Sequence, residues 1–155
     1  LFNIKLKKMR KKFNKLIRVS FVFLIFILAA CSIEPQPIKM GDTCSFCLMG
    51  VADNRFGAEL ITKKGKLYKF DDTHCLLEFL NAQTVPKEQQ KSILFVNFET
   101  PHGFLDAKNA FLLKSVDLRS PMGSNIAAFE SLEKLKESQT KLGGEVVEWA
   151  SLASN

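Results

Sequence analysis

Short segments of alternating hydrophobic and polar residues predict the first structural elements of the chain. A strand is predicted over Ala58–Thr62 and a returning strand over Leu67–Phe70, joined by the glycine-containing turn 63–66. A helix follows, capped by Asp71 or Asp72, because short carboxylate side chains accept hydrogen bonds from first-turn amides. Apolar side chains recur along this helix at helical spacing: Cys75, Leu76, Phe79 and Leu80.

The second half of the chain again combines β-rich runs with one amphipathic helix. The helix is predicted over Ser131–Lys141 and ends at Gly143-Gly144, a helix-terminating signal. The β-rich runs predict four strands: Ile93–Phe98, Ala110–Lys114, Ile126–Phe129 and Glu145–Trp149. The two halves, about 41–84 and 92–150, are therefore predicted to form two small ββα-type modules packed together, an α+β fold.

The first 30 residues have the composition of a secretion signal. Eight of the 22 Lys and Arg residues lie in this leader, which holds none of the 16 Asp and Glu residues. A ten-residue apolar run, Phe21–Ala30, is too short to cross a bilayer comfortably as a helix. Residues 1–30 are therefore predicted to be a signal peptide, with translation starting at Leu1 or Met9. The rest of the chain carries a formal net charge of −2, which argues against nucleic acid as a partner.

Small residues directly before Cys31 form a lipobox, Leu28-Ala29-Ala30-Cys31. Cys31 is therefore expected to carry lipid and to anchor the protein in the cell envelope, facing the periplasm or the outside. Acyl chains contribute about 0.8 kcal/mol per buried CH₂, so two or three of them anchor stably. Residues 31–40 are expected to be a lipidated tether ahead of a single domain over 41–152.

The remaining cysteines are the main candidates for chemistry. They number three (Cys44, Cys47 and Cys75), and an odd number argues against a simple disulfide framework. The segment 44–49 (CSFCLM) places two thiols three residues apart and a thioether two residues further on, and soft sulfur ligands suit copper(I). Zinc prefers four Cys or His ligands, so this segment favours copper(I). Cys75, on the apolar face of the predicted helix, is interpreted as a buried small hydrophobic residue.

Two further residues are candidate copper ligands. Met122 lies between Pro121 and Gly123 in a loop, without the apolar periodicity that usually surrounds a core methionine. His74 follows the predicted helix cap, where it is either a solvated helix residue or a ligand. The candidate metal site comprises Cys44, Cys47, Met49 and Met122, with His74 as an additional candidate.

Other functions remain open on these residues. A C-x-x-C pair also occurs in exported thiol–disulfide oxidoreductases, although such a site should open a helix after a strand, and a loop and a strand follow here. A structural disulfide is a further possibility for Cys44 and Cys47. The chain can also be a lipoprotein scaffold that works without metal. The sequence shows no nucleophile–base arrangement and no glycine-rich phosphate loop, so no enzyme is predicted.

Several ordered motifs resemble the NosL family, over about residues 42–150. Residues 41–49 (GDTCSFCLM) are similar to the opening motif of that family. Further similar segments follow in order: 65–72 (GKLYKFDD), 103–107 (GFLDA), 110–111 (AF), 120–123 (SPMG), 128–129 (AF) and 143–147 (GGEVV). The family typically has glycine between the second cysteine and the methionine, where this chain has Leu48.

The resemblance implies a copper(I) chaperone of two ββα-type modules, anchored by lipid outside the cytoplasmic membrane. It would deliver copper for the copper–sulfide centre of nitrous oxide reductase, together with an ABC transporter and its periplasmic partner. By residue-by-residue match, the family site falls on Cys47 and Met49, with Cys44, and on Met122. Leu48 then bears on how the side chain of Met49 points.

Overall fold

Two antiparallel sheets organise the fold in the computed structural model, which describes residues 34–154. The predicted signal peptide and the lipid-attachment residue Cys31 lie outside the described residues. Residues 34–155 group into one unit by their internal contacts, and all three core clusters lie within it. A range with its own core is expected to fold on its own. None of the helices in the described range combines the length and the apolar character that a membrane crossing requires.

The first sheet has four strands in the order β2-β1-β3-β4. β1 (Ala58–Thr62) and β2 (Leu67–Phe70) form the hairpin that the alternating pattern predicts, with the predicted bounds. β3 (Gln90–Val96) pairs with the other side of β1, and β4 (Phe104–Asp106) extends the sheet from β3. β1 is therefore central and all five of its residues are buried, whereas β2 is an edge strand.

The second sheet has three strands in the order β6-β5-β7. β5 (Phe111–Lys114) pairs with β6 (Ile126–Phe129) on one side and with β7 (Glu145–Val147) on the other. All three strands occur where the sequence predicts them, although β7 ends two residues before the predicted Trp149.

The two sheets do not correspond to the two halves of the chain that the sequence predicts as modules. β3 and β4 follow the first helix in sequence, yet they complete the first sheet with β1 and β2. The residues directly after β3 then contact β6, because the N–H of Phe98 donates to the carbonyl of Ala128 at 2.8 Å. The predicted α+β class is confirmed, with two small antiparallel sheets joined at this contact.

Both predicted helices form, the first with a predicted N-cap and the second with the predicted C-terminal glycine. α1 (Thr73–Asn81) is capped by Asp72, whose Oδ1 accepts the N–H of His74 at 2.8 Å. α2 (Leu132–Leu142) is capped by Ser131 and ends at Gly143. A third, short helix was not predicted: α3 (Trp149–Leu152). Residues 34–154 also contain three 3₁₀ turns: Asn54–Phe56, Lys87–Gln89 and Val116–Leu118.

The folded contacts begin ahead of Met40, where the tether was expected to end. The backbone N–H of Gln36 donates to the buried carboxylate of Glu59, at 3.3 Å from Oε2. Ile38 is buried in a small apolar cluster. Lys69 Nζ donates to the carbonyl of Pro37 at 3.0 Å and to Asp42 Oδ2 at 2.6 Å. Residues 36–42 therefore lie along the domain rather than apart from it.

Candidate metal centre

Cys44 and Cys47 lie in a tight loop that backbone hydrogen bonds close. The N–H of Cys44 donates to the carbonyl of Met49 at 2.8 Å, and the N–H of Leu48 donates to the carbonyl of Cys44 at 3.1 Å. The N–H of Ser45 donates to the carbonyl of Lys69 at 2.7 Å, and Ser45 Oγ accepts the N–H of Lys69 at 3.1 Å. The loop is thereby fixed to the outer side of β2.

Leu48 adopts the left-handed backbone conformation that glycine favours, with φ at +64°. For residues other than glycine this conformation costs roughly 1–2 kcal/mol. The side chain is 75% exposed, so buried packing offsets little of that cost. The turn between Cys47 and Met49 therefore keeps a glycine-like geometry although the chain has leucine there.

Cys75 adds a third thiol to this loop from the first turn of α1. The Sγ atoms of Cys44, Cys47 and Cys75 all lie within 4.8 Å of one another. Within residues 34–154, no other group of three or more His, Cys, Asp or Glu side chains is arranged to hold a metal ion. All three cysteines are free thiols; Cys44 and Cys75 are buried and Cys47 is half-buried. The cluster is therefore accessible from the Cys47 side.

The surroundings shift the pKa values of the two buried thiols in opposite directions. Burial by itself raises the pKa of Cys44, but the backbone N–H groups of Asp71, Phe46 and Cys47 outweigh burial, so the pKa is lowered. Burial raises the pKa of the Cys75 thiol, and the neighbouring Cys44 raises it further. Cys44 is thus the first of the two to form a thiolate, the form that binds metals. A bound cation favours loss of the second proton, because metal binding and thiol ionisation are coupled.

The other ligands predicted from the sequence each lie in a different environment. Met122 is half-buried and packs against the same core cluster that contains Cys44 and Cys75. Met49 follows the cluster in the loop and its side chain is 51% exposed. His74 is exposed and does not belong to the cysteine group.

Cys75 is the site residue that the sequence argument did not select. Its position on the apolar face correctly predicted burial. Its contact with the loop depends on the pairing of Ser45 with Lys69, which lies 24 residues further along the chain. No local pattern around Cys75 encodes that pairing.

The fold and the cluster together define a small α+β protein with a thiol site able to hold a soft metal ion. The sequence model of the NosL family matches residues 35–155, and the chain belongs to the NosL family. Its members are not enzymes, which agrees with the lack of a catalytic arrangement in the sequence.

One solved structure shows the same fold, the copper chaperone NosL from Shewanella denitrificans. The two chains are 21% identical, with a TM-score of 0.62. The similarity covers 76% of this chain and 94% of that chain. No curated protein matches the chain at a significant level.

Proposed function

We propose that this protein is a copper(I) chaperone that holds its ion in the cluster of Cys44, Cys47 and Cys75. The observation that carries the proposal is the convergence of three sulfur atoms within 4.8 Å. A point equidistant from three atoms at that spacing lies about 2.8 Å from each, near the ~2.3 Å of a metal–thiolate bond. Small side-chain rotations would close the difference, and a soft ion such as Cu(I) prefers such ligands.

The exposure of the site suits transfer better than storage. Two of the thiols are buried, but Cys47 is half-buried and provides a route by which ligands of a partner reach the ion. Met49 offers a neutral thioether at the exposed side of the loop, and a neutral ligand should hold copper less tightly than a further thiolate. Met122, packed on the same core cluster, is the candidate thioether on the inner side.

The client we propose is nitrous oxide reductase, whose copper–sulfide centre would receive the copper. An ABC transporter and its periplasmic partner would belong to the same maturation machinery. Family membership and the fold shared with a copper chaperone support this assignment. A lipid on Cys31 would hold the protein in the cell envelope, facing the periplasm or the outside.

A competition titration tests the copper site directly. The reduced domain, residues 34–155, is titrated with Cu(I) against bathocuproine disulfonate. One tightly bound ion per domain is expected, and Cys47→Ser should weaken binding more than about tenfold, or ~1.4 kcal/mol. Met40→Leu is the matched control, because Met40 is a 70% exposed thioether outside the cluster. Equal binding by the Cys47→Ser variant would place the site elsewhere.

Thiol–disulfide exchange is the competing function, and one observation favours it. The pKa of Cys44 is lowered although burial opposes the shift, and Cys47 lies beside it. The pair nevertheless lies in a loop ahead of a 3₁₀ turn and a strand, not at the start of a long helix. Reduction of insulin by the metal-free domain at a catalytic rate would support thiol–disulfide exchange. Absence of turnover would leave copper binding as the one function proposed for these cysteines.

A further inference from the structure

Asp72 is a fully buried carboxylate that connects two parts of the chain about 50 residues apart. Its Oδ1 accepts the N–H of His74 at 2.8 Å, which caps the helix that carries Cys75. Its Oδ2 accepts hydrogen bonds from the loop around Met122: from Ser120 Oγ at 2.5 Å, from the N–H of Met122 at 3.0 Å and from the N–H of Ser124 at 3.4 Å.

The loop that Oδ2 holds is also ordered internally. Ser120 Oγ accepts the N–H of Asn125 at 2.7 Å, while the N–H of Ser120 donates to Asn125 Oδ1 at 3.0 Å. The segment 120–125 therefore wraps around the carboxylate. Because Asp72 precedes Cys75 by three residues, this places the backbone of Met122 beside the first turn of α1.

Ser131 shows what a cap of the ordinary kind looks like in this fold. It accepts one first-turn N–H, that of Lys134, at 3.2 Å, and the cap makes no bond to a distant segment. Asp72 does the same with one oxygen and uses the other oxygen for the Met122 loop. Helix capping alone leaves the contacts of Oδ2 unexplained.

We propose that Asp72 is a positioning residue for the copper site: its carboxylate fixes the Met122 loop beside the first turn of α1, which carries Cys75, without itself binding the ion. This inference rests on the proposed copper function and adds a requirement to it. Met122 packs against the large core cluster that also contains Cys44 and Cys75, and the carboxylate maintains that packing. Groups behind metal ligands typically change affinity about 10–100-fold when they are altered.

Asp72→Asn separates the two roles of the side chain. Asparagine caps helices as well as aspartate, so its Oδ1 can still accept the N–H of His74. Its amide nitrogen is a donor, however, and it would face the N–H groups of Met122 and Ser124, which are donors as well. The variant therefore keeps the helix cap but loses the hydrogen bonds that attach the Met122 loop to residue 72. Ser120→Ala, which removes one of the three donors, is a milder second variant.

The first measurement needs no copper. In the metal-free domain with ¹³C-labelled methionine methyl groups, Asp72→Asn should move the Met122 signal towards the position of a solvent-exposed methionine. The Met40 and Met49 signals should stay in place, and Ser131→Ala, the cap control on α2, should move none of the three. An unchanged Met122 signal in a folded Asp72→Asn variant would overturn the inference, whatever the domain does with copper.

The second measurement connects the loop to the ion. Asp72→Asn should lower Cu(I) affinity at least about tenfold and remove one sulfur from the copper coordination seen by X-ray absorption. In a Met122→Leu background the same substitution should change the affinity no further, as residues that act through one contact are not additive. Equal losses in both backgrounds would overturn the positioning role. Failure of the unsubstituted domain to bind Cu(I) would instead overturn the proposed function.

Discussion

Leu48 is the residue at which the metal loop departs most clearly from ordinary backbone preference. Its φ of +64° lies in the left-handed region, and its exposed side chain gains little from packing. The family resemblance places glycine at this position, and the structure shows that the loop geometry is retained with leucine. The cost therefore stays in the folded state and is measurable.

Leu48→Gly should raise the free energy of unfolding by about 1 kcal/mol. The left-handed conformation costs a leucine roughly 1–2 kcal/mol, and the greater unfolded-state freedom of glycine offsets part of the gain. Urea unfolding of the reduced, metal-free domain measures the change. Leu48→Ala is the control, because alanine keeps the unfavourable φ. Equal stability of the Gly and Ala variants would contradict the claim that the backbone conformation of Leu48 destabilises the folded state.

Glu59 is a second residue whose environment destabilises the folded state. It is fully buried on β1 and accepts a hydrogen bond from the N–H of Gln36. Burial raises its pKa above the ordinary 4.5, against the smaller effects of that hydrogen bond and of Lys69. Between 4.5 and the folded-state pKa the folded protein binds more protons than the unfolded chain, so this group makes stability fall as pH rises.

Glu59→Gln should consequently stabilise the domain at pH 8, because the amide neither loses the solvation of a charge nor takes up a proton on burial. The advantage over the unsubstituted domain should shrink as the pH falls towards 4, because both side chains are then uncharged. Urea midpoints measured between pH 4 and pH 8 test this expectation. A stability difference that does not vary with pH would show that burial of Glu59 has no bearing on its ionisation.

At the scale of elements, the metal centre is an assembly of a loop, an edge strand and a helix start. β2 holds the cysteine loop through Ser45, and α1 brings Cys75 from the other side. Cys44 and Cys75 are buried within this assembly, whereas Cys47 is half-buried at its open side. Access to the three thiols should therefore differ although their sulfur atoms lie close together.

Brief treatment of the folded, reduced domain with N-ethylmaleimide should label Cys47 first. Cys44 and Cys75 should react only on the timescale of unfolding, because thiol reactivity requires access as well as ionisation. Mass spectrometry of proteolytic fragments identifies the labelled residue, and labelling in urea provides the reference for full exposure. Rapid labelling of Cys75 under native conditions would show that the helix start does not enclose the site.

Most strands and both longer helices were predictable from neighbouring residues, whereas the pairing of strands that are distant in the sequence was not. The bounds of β1 and β2 follow from local alternation around a turn, and Asp72 and Ser131 cap helices through their own first turns. β4 is only three residues long and half-buried, so it has no clear local pattern.

At the scale of the whole molecule, non-local pairing also decides the site. β3 joins the first sheet across β1, and the 120–125 loop returns to Asp72. Cys44, Cys47 and Met122 carry local signals of their own, a C-x-x-C-x-M segment and a loop methionine. Cys75 becomes a site residue through tertiary structure alone.

The docked residues 36–42 bear on how an envelope-anchored chaperone would work. If Cys31 carries lipid as proposed, only a few residues separate the anchor from Gln36, which already contacts Glu59. Lys69 connects Pro37 and Asp42, two residues before Cys44. The metal loop would then stay close to the membrane surface, where a transporter partner would meet it.

The central claim is that a cluster of three cysteines holds copper(I), and Cys75→Ser tests it most directly. In a Cu(I) competition titration, the unsubstituted domain should bind one ion and the Cys75→Ser variant should bind it more than about tenfold more weakly. His74→Ala, which changes the exposed neighbour of Cys75, should leave the affinity unchanged. Normal binding by Cys75→Ser together with a loss in His74→Ala would contradict the cluster and return the site to the ligand set that the sequence alone suggested.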